Sequence, residues 1–381
     1  VPRTLLVTND FPPRPGGIQS YLHALATHLP ADELVVLAST WARSPEAREA
    51  CRRFDAAQPF EVHRLPTTMM LPTPVATRRA AELVRAHGIH TTWFGAAAPL
   101  GLMAPALRRA GAARVLASTH GHEVGWSMLP GSRQLLRRIG RGSDVVTTVS
   151  RYTRGRIAPA LGPDVALEPL PSGIDTARFR PDAGAREEIR RRHGLGERPL
   201  VVCVSRLVRR KGQDVLIAAL PRLRSAVAGA ALVVAGDGPD RDRLRRLAKA
   251  HGVADHVVFT GPMTPDEVPA HHAAGDVSAL PCRTLGGGLD VEGLGIVLLE
   301  AQATGVPVIA GRSGGAPETI RPGETGRLVD GRDPTDVADT LADLLADPDS
   351  ARAMGAVGRR WMRADWTWEA RAARLRALAR A

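Results

Sequence analysis

The run Asp290-Val291-Glu292-Gly293-Leu294-Gly295-Ile296-Val297-Leu298-Leu299-Glu300 holds two glutamates eight positions apart, with glycines and then an apolar run between them. On one continuous helix, eight residues turn about 80° past two full turns, so the two carboxylates would not share a face. The glycines predict another arrangement, with Glu292 in a loop and a helix that begins near Gly295 and contains Glu300. Such a helix leaves the backbone N–H groups of Gly295, Ile296 and Val297 free, a seat for a phosphate. Carboxylates on either side of an anion seat suit a ligand with hydroxyls on both sides of a diphosphate. The competing reading is a buried amphipathic helix with a capping glutamate.

Three other places carry residue types fit for the same ligand. Arg206 and Lys211 lie five positions apart just past the apolar run 200–205, where a guanidinium and an ammonium would neutralise a diphosphate. A solvated basic turn is the alternative, and Arg209 and Arg210 fit that description. Near the start, Thr4-Leu5-Leu6-Val7-Thr8 leads into Asn9-Asp10-Phe11-Pro12-Pro13-Arg14-Pro15-Gly16-Gly17 and then a helical pattern. This is not GxGxxG, so a nicotinamide fingerprint is absent. The Gly16-Gly17 pair allows close approach to a ligand at a helix N-terminus, or simply makes a tight turn. His120 follows the apolar run 115–118, at the strand end where open α/β sheets bind ligands. His120 and His122 at i, i+2 resemble a metal pair but lack a third ligand with supporting spacing, so no metal is expected.

These residues need a frame. Apolar runs at 4–8, 34–38, 61–65, 91–94, 115–118 and 145–149 alternate with helical stretches, a βαβ series with a mostly parallel sheet. A second series runs through 200–205, 231–235, 257–260, 277–280 and 307–310. The Pro/Gly-punctuated stretch 167–175 reads as the linker between them. The expectation is α/β: two doubly wound domains facing a cleft, one of residues 1–170 and the other of residues 171–360. Ser313-Gly314-Gly315-Ala316-Pro317-Glu318 is expected to open a helix, and Asp333-Pro334 to cap another.

Composition bounds the partners. The 381 residues are enough for two domains with separate cores. Of 51 basic side chains 49 are Arg, and the net charge is +12, of which residues 1–170 carry +8. No basic stretch with interleaved aromatics and no zinc-type Cys/His spacing appears, which argues against nucleic acid. Residues 133–156 hold seven Arg and one acid, an excess that suits an anionic membrane surface, and the apolar patch Met69-Met70-Leu71-Pro72, with Arg64, Arg78 and Arg79 nearby, is either core or a surface loop that touches lipid. Cys51, Cys203 and Cys282 are too scattered for a disulfide framework, so a reducing cytoplasm is expected. Neither a signal-peptide pattern nor an apolar run near about 18 residues is present, so contact with a bilayer would be peripheral, on the cytoplasmic face of the plasma membrane.

Taken together, the Glu292-x7-Glu300 element, Ser205-Arg206-Leu207 with Lys211-Gly212, Gly236-Asp237-Gly238-Pro239 and Gly323-Glu324-Thr325-Gly326 resemble family 4 of the retaining glycosyltransferases, which have the GT-B fold of two Rossmann-like domains. Thr8-Asn9-Asp10-Phe11-Pro12-Pro13, Gly16-Gly17-Ile18-Gln19-Ser20-Tyr21, Trp93-Phe94-Gly95-Ala96-Ala97 and Ser118-Thr119-His120-Gly121-His122-Glu123 are similar to actinobacterial phosphatidylinositol mannoside mannosyltransferases. Gly261-Pro262-Met263 departs from the family's usual Gly-x-Val where the base binds, so guanine is implied by the subgroup alone.

The resemblance implies GDP-mannose as donor, no metal or other cofactor, and an inositol phospholipid acceptor, the second mannose being added to phosphatidylinositol monomannoside. It implies that Glu300 holds the ribose hydroxyls and Glu292 those of the transferred sugar. Gly17 and the amides near Ile296 and Val297 would bind the diphosphate, with Arg206 and Lys211 neutralising it. His120 would touch the sugar, and Asp10 and Gly16 the acceptor. It also implies that a last segment, residues 361–381, crosses back to the first domain. Two alternatives remain at this level: a related transferase with another sugar nucleotide or a soluble acceptor, and an inactive membrane-binding protein of the same fold.

Overall fold

The computed structural model describes residues 2–380. The chain divides into two units. One runs to Gly173 and resumes at Trp368, and the other is Ile174–Thr367.

In the first unit, strands β1 (Arg3–Thr8), β2 (Leu34–Ser39), β3 (Glu61–Leu65), β4 (Ile89–Phe94), β5 (Arg114–Thr119), β6 (Val145–Thr148) and β7 (Ala166–Pro169) form a parallel sheet in the order 3-2-1-4-5-6-7. The order in which the chain adds strands reverses between β1 and β4, which run parallel and register Leu5 against Thr92. Central strands are covered on both faces, so they read as continuous apolar runs. Leu5 and Val7 pack into one core layer with Phe94 and Ala117, and Leu6 into the other with Phe11, Tyr21, Leu22 and Trp93. Trp93 is fully buried because its indole Nε1 donates to Ser118 Oγ at 2.9 Å.

The second unit repeats the plan with β8 (Leu200–Val204), β9 (Ala231–Ala235), β10 (Val257–Gly261), β11 (Val277–Leu280), β12 (Val308–Gly311) and β13 (Gly326–Val329), in the order 10-9-8-11-12-13. Its reversal falls between β8 and β11. In both sheets the crevice beside that reversal, at the carboxyl ends of the strands, is the ligand-binding position.

Three expectations need correction. The stretch read as a linker begins inside the sheet: Leu167–Pro169 belongs to β7, paired with β6 through Val146↔Leu167. An edge strand of four residues ending in proline is too short to show a period. The chain passes from the first unit to the second after Gly173. The returning segment starts at Trp368, not at residue 361. Trp361 stays in the second unit, inside the helix Pro348–Asp365, edge-on to Trp366 at 5.5 Å and under the Arg321 guanidinium at 4.7 Å. Ile174 N donates to Trp366 O at 2.7 Å and pairs with Thr367, so the two crossings lie side by side. Beyond them the helix Trp368–Arg380 docks on the first sheet, with Leu375 and Leu378 in its core and Thr91 Oγ1 donating to Ala379 O at 2.8 Å. Finally, Ala316–Thr319 makes only a short 3-10 turn where a helix was expected, whereas Asp333 does cap Pro334–Ala346 by accepting from Thr335 N at 2.8 Å.

Candidate active site

The second unit assembles its candidates at the carboxyl ends of β8, β11 and β12, three neighbours in the sheet. Gly295, at φ 89°, turns the chain into the helix Ile296–Ala303. The amides of Gly295, Ile296 and Val297 donate to no described residue, which leaves three donors at the positive end of that helix. Glu300 lies in its second turn, its Oε2 3.4 Å from Nε2 of the buried His272.

Glu292 precedes the helix in a loop and is 7% exposed. Its Oε2 lies 2.6 Å from Lys211 Nζ and 3.8 Å from Arg210 Nε. The lysine contact is a charge pair; the two groups do not align as a hydrogen bond. The loop after β8 brings Lys211 there because Gly212, at φ 80°, packs its Cα face against Pro281 O, where a Cβ would stand 2.0 Å away. Gln213 Nε2 ties the same loop to Ser205 Oγ at 2.8 Å and Arg206 O at 3.0 Å. Arg206 leaves the end of β8 with an exposed side chain that bonds no described residue. The second unit therefore brings Lys211 and Glu292 together and places Arg206 and the three amides on the same end of one sheet. A basic rim with free amides can hold a diphosphate, and adjacent buried carboxylates can accept hydroxyls.

In the first unit, Asp10 follows β1, Gly95 follows β4 and His120 follows β5, all at the sheet's reversal. Gly95 is required there, since a Cβ would lie 2.7 Å from Thr8 and Leu22. His120 Nε2 lies 2.6 Å from Gly95 O, and because a carbonyl only accepts, Nε2 carries the proton and Nδ1 is left as an acceptor. Tyr21 meets the ring edge-on at 5.2 Å. Gly16 caps the helix Gly17–Thr27, where a Cβ would collide with Gln19 Oε1 at 2.1 Å, and nothing stands within 4 Å of a Cβ at Gly17. Asp10 Oδ1 accepts from Gln19 Nε2 at 2.7 Å and lies 3.8 Å from Arg14.

Burial pushes the His120 imidazole below its ordinary pKa, against a smaller opposing pull from Glu123. Burial likewise lowers His193 and His271. A lowered folded-state pKa means that the unfolded chain binds more protons, so stability is complete above about pH 6.5 and is lost as pH falls through the folded values. Urea midpoints should drop between pH 7.5 and 5.5, each group contributing at most about 1.4 kcal/mol per pH unit. His120→Asn should flatten that dependence; an unchanged slope refutes the assignment. Burial drives Cys203 and Cys282 upward, to about 11 and about 12, so neither is a thiolate nucleophile at neutral pH.

Residues 15–178 match the family described as Glycosyltransferase Family 4, and residues 185–361 match Glycosyl transferases group 1. A Mycobacterium tuberculosis (H37Rv) protein named GDP-mannose-dependent alpha-(1-6)-phosphatidylinositol monomannoside mannosyltransferase is 59% identical over 98% of this chain and 97% of its own length. The chain belongs to glycosyltransferase family 4. A Corynebacterium glutamicum relative, named as acting on the monoacylated monomannoside, is 50% identical over 98% and 96% of the two chains. Among solved structures, Anabaena Alr3699/HepE in complex with UDP superposes with a TM-score of 0.81 at 18% identity, over 98% of each chain. Sucrose-phosphate synthase from Thermosynechococcus elongatus does so with a TM-score of 0.80 at 23% identity, over 99% of this chain and 98% of its own. Both show the GT-B plan of two doubly wound domains.

Several residues that position the candidate side chains were given no such role by the sequence, though Gln19, Glu123, His122 and Gly314 lie within stretches it singled out. Gln19 orients Asp10 and His272 faces Glu300. Glu123, fully buried, accepts from the amides of His120 at 3.0 Å and Gly121 at 3.2 Å, which pins the loop that presents His120. Its other oxygen lies 3.2 Å from His122 Nε2, so His122 serves this loop. Gly314, at φ 57°, lets the 313–315 turn press on the Glu292 loop, and Gly315 N donates to Glu292 O at 3.0 Å.

Proposed function

We propose that this glycosyltransferase moves mannose from GDP-mannose to phosphatidylinositol monomannoside with retention of the anomeric configuration. The observation that carries this reading is the 59% identity, across nearly the whole of both chains, to proteins named for that activity. In this reading Glu292 holds hydroxyls of the transferred sugar, Glu300 the ribose, and Lys211, Arg206 and the amides at 295–297 the diphosphate. Gly17 and His120 serve donor and sugar from the first unit, and Asp10 and Gly16 serve the acceptor.

The bond between the anomeric carbon and the β-phosphate oxygen breaks while an acceptor hydroxyl approaches on the same face. The new glycosidic bond forms there, and the hydroxyl's proton passes to the leaving diphosphate. Charge growing on that diphosphate is met by Lys211, held beside Glu292, by Arg206 recruited from the surface and by a helix N-terminus, so the protein itself supplies the electrostatic stabilisation. The first unit carries 24 basic and 13 acidic side chains, net +11, against +1 for the second. It also exposes Met69, Leu71, Val75, Met128 and Leu129. No described helix is long and apolar enough to cross a membrane. Basic charge with exposed apolar side chains supports peripheral contact of this unit with an anionic leaflet, on the cytoplasmic face.

Calorimetry with GDP, UDP and ADP, followed by transfer assays on inositol lipids, tests the assignment. GDP should bind at least tenfold more tightly than UDP, and EDTA should leave turnover unchanged. Preferential binding of UDP would overturn the mannose assignment.

A further inference from the structure

Away from the residues assigned to transfer, the first unit brings Glu61, His63 and His87 together, with one ligand atom from each within 4.8 Å of the others. Glu61 and His63 are two apart on β3, the edge strand, so their side chains leave the same face. His87 ends the helix Pro74–Ala86, where unpaired carbonyls and the helix dipole favour a cation. Glu61 is the first residue of β3. The triad therefore lies toward the amino ends of the strands, opposite the loops that carry Asp10, Gly16 and His120.

We propose that Glu61, His63 and His87 bind a divalent transition-metal ion of the zinc class, which clips the edge strand to the end of the helix Pro74–Ala86. Glu61 Oε1 lies 2.7 Å from His63 Nε2, and Glu61 Oε2 lies 3.7 Å from His87 Nδ1. Tetrahedral zinc with bonds near 2.0–2.1 Å holds its ligand atoms about 3.3 Å apart, so small rotations of three partly exposed side chains complete the set. His63 Nε2 is buried yet makes no hydrogen bond, even to the nearby carboxylate, as expected of a lone pair or proton not aimed at its neighbour. Two imidazoles and one carboxylate prefer zinc, cobalt or nickel to magnesium or calcium, and leave a fourth position for water. All three cysteines are buried, so no surface thiol competes.

One neighbour opposes the ion. Arg79 Nη2 donates to His63 Nδ1 at 3.3 Å, and its Nη1 bonds Glu82 at 3.3 Å. A metal on Nε2 moves the ring proton to Nδ1, so Arg79 must let go of the ring and keep only Glu82.

The test uses the full chain, stripped with EDTA and dialysed, titrated with ZnCl2 by calorimetry and with CoCl2 by visible absorption. One zinc per chain should bind, cobalt should give the intense d–d bands of a tetrahedral site, and zinc should raise the thermal midpoint. His63→Gln and His87→Gln should each weaken binding at least tenfold, and Arg79→Ala should tighten it. Glu61→Gln, at an exposed position, should also weaken binding, and it guards against a histidine variant that fails to fold. Absence of stoichiometric zinc binding, or binding that persists undiminished in Glu61→Gln and the histidine variants, overturns the proposal, as does weaker binding in Arg79→Ala. GDP calorimetry is a separate readout, so this site and the transfer assignment fail independently.

Discussion

Lys211→Ala should lower turnover at saturating donor by about 10²–10³-fold, the usual cost of removing one preorganised group that meets charge in a transition state. The lysine's charge is held 2.6 Å from Glu292 at a position 11% exposed, so it is fixed before the donor arrives and is little screened by water. Its deletion leaves Glu292 with only Arg210 at 3.8 Å, so the carboxylate loses its closest counter-charge as well. Arg206→Ala should also lower turnover, by less, because that side chain is exposed and must be recruited by the ligand. Lys211→Arg should not restore full activity, since a longer, planar guanidinium does not reproduce the compact ammonium held 2.6 Å from Glu292. Steady-state kinetics at saturating acceptor decide the matter: a transition-state role lowers kcat and kcat/KM together. Unchanged kcat in both alanine variants would sink the electrostatic account.

Gly314→Ala should have the second-largest effect, although residue 314 touches no substrate in the proposed scheme. An added Cβ would stand 1.8 Å from Glu292 O at a backbone φ of 57°. The left-handed conformation alone costs a non-glycine residue about 1 kcal/mol. The overlap must then push the Glu292 loop away, and a shift of about 1 Å at a reacting group costs about 10²-fold in rate. We expect kcat/KM to fall by that order and stability of the second unit to drop by about 2–3 kcal/mol. Gly323→Ala is the control: it shares a positive φ of 83°, but nothing lies within 4 Å of its Cβ. It should carry the backbone cost and leave the kinetics intact. Equal kinetics for the two variants would show that crowding of Glu292 is irrelevant.

Local pattern carried a large part of this protein. Alternating apolar runs and glycine-rich turns named eleven of the thirteen described strands, because centrally buried parallel strands must be apolar on both faces. The two that escaped, β7 and β13, are edge strands of only four residues, whereas the edge strands β3 and β10, with five, were still legible. The start of the helix at Ile296 was legible for a local reason too, since Gly295 takes a φ that other residues resist.

Tertiary structure alone decided which charges meet. Lys211 and Glu292 come from loops after different strands and touch only because β8 and β11 are neighbours in the sheet. The same holds for His120 on the Gly95 carbonyl, whereas Gln19 on Asp10 and His87 beside Glu61 meet through the packing of a helix against the strand or loop before it. Through-space contacts depend on strand order and on close approaches such as Gly314 against Glu292, and neither leaves a periodic trace along the chain. The Asp290–Glu300 stretch, read by itself, offered two carboxylates about a helix start with free amides, with a plain buried helix as the competing reading. The fold determined that one of them, Glu292, arrives already paired with a cation.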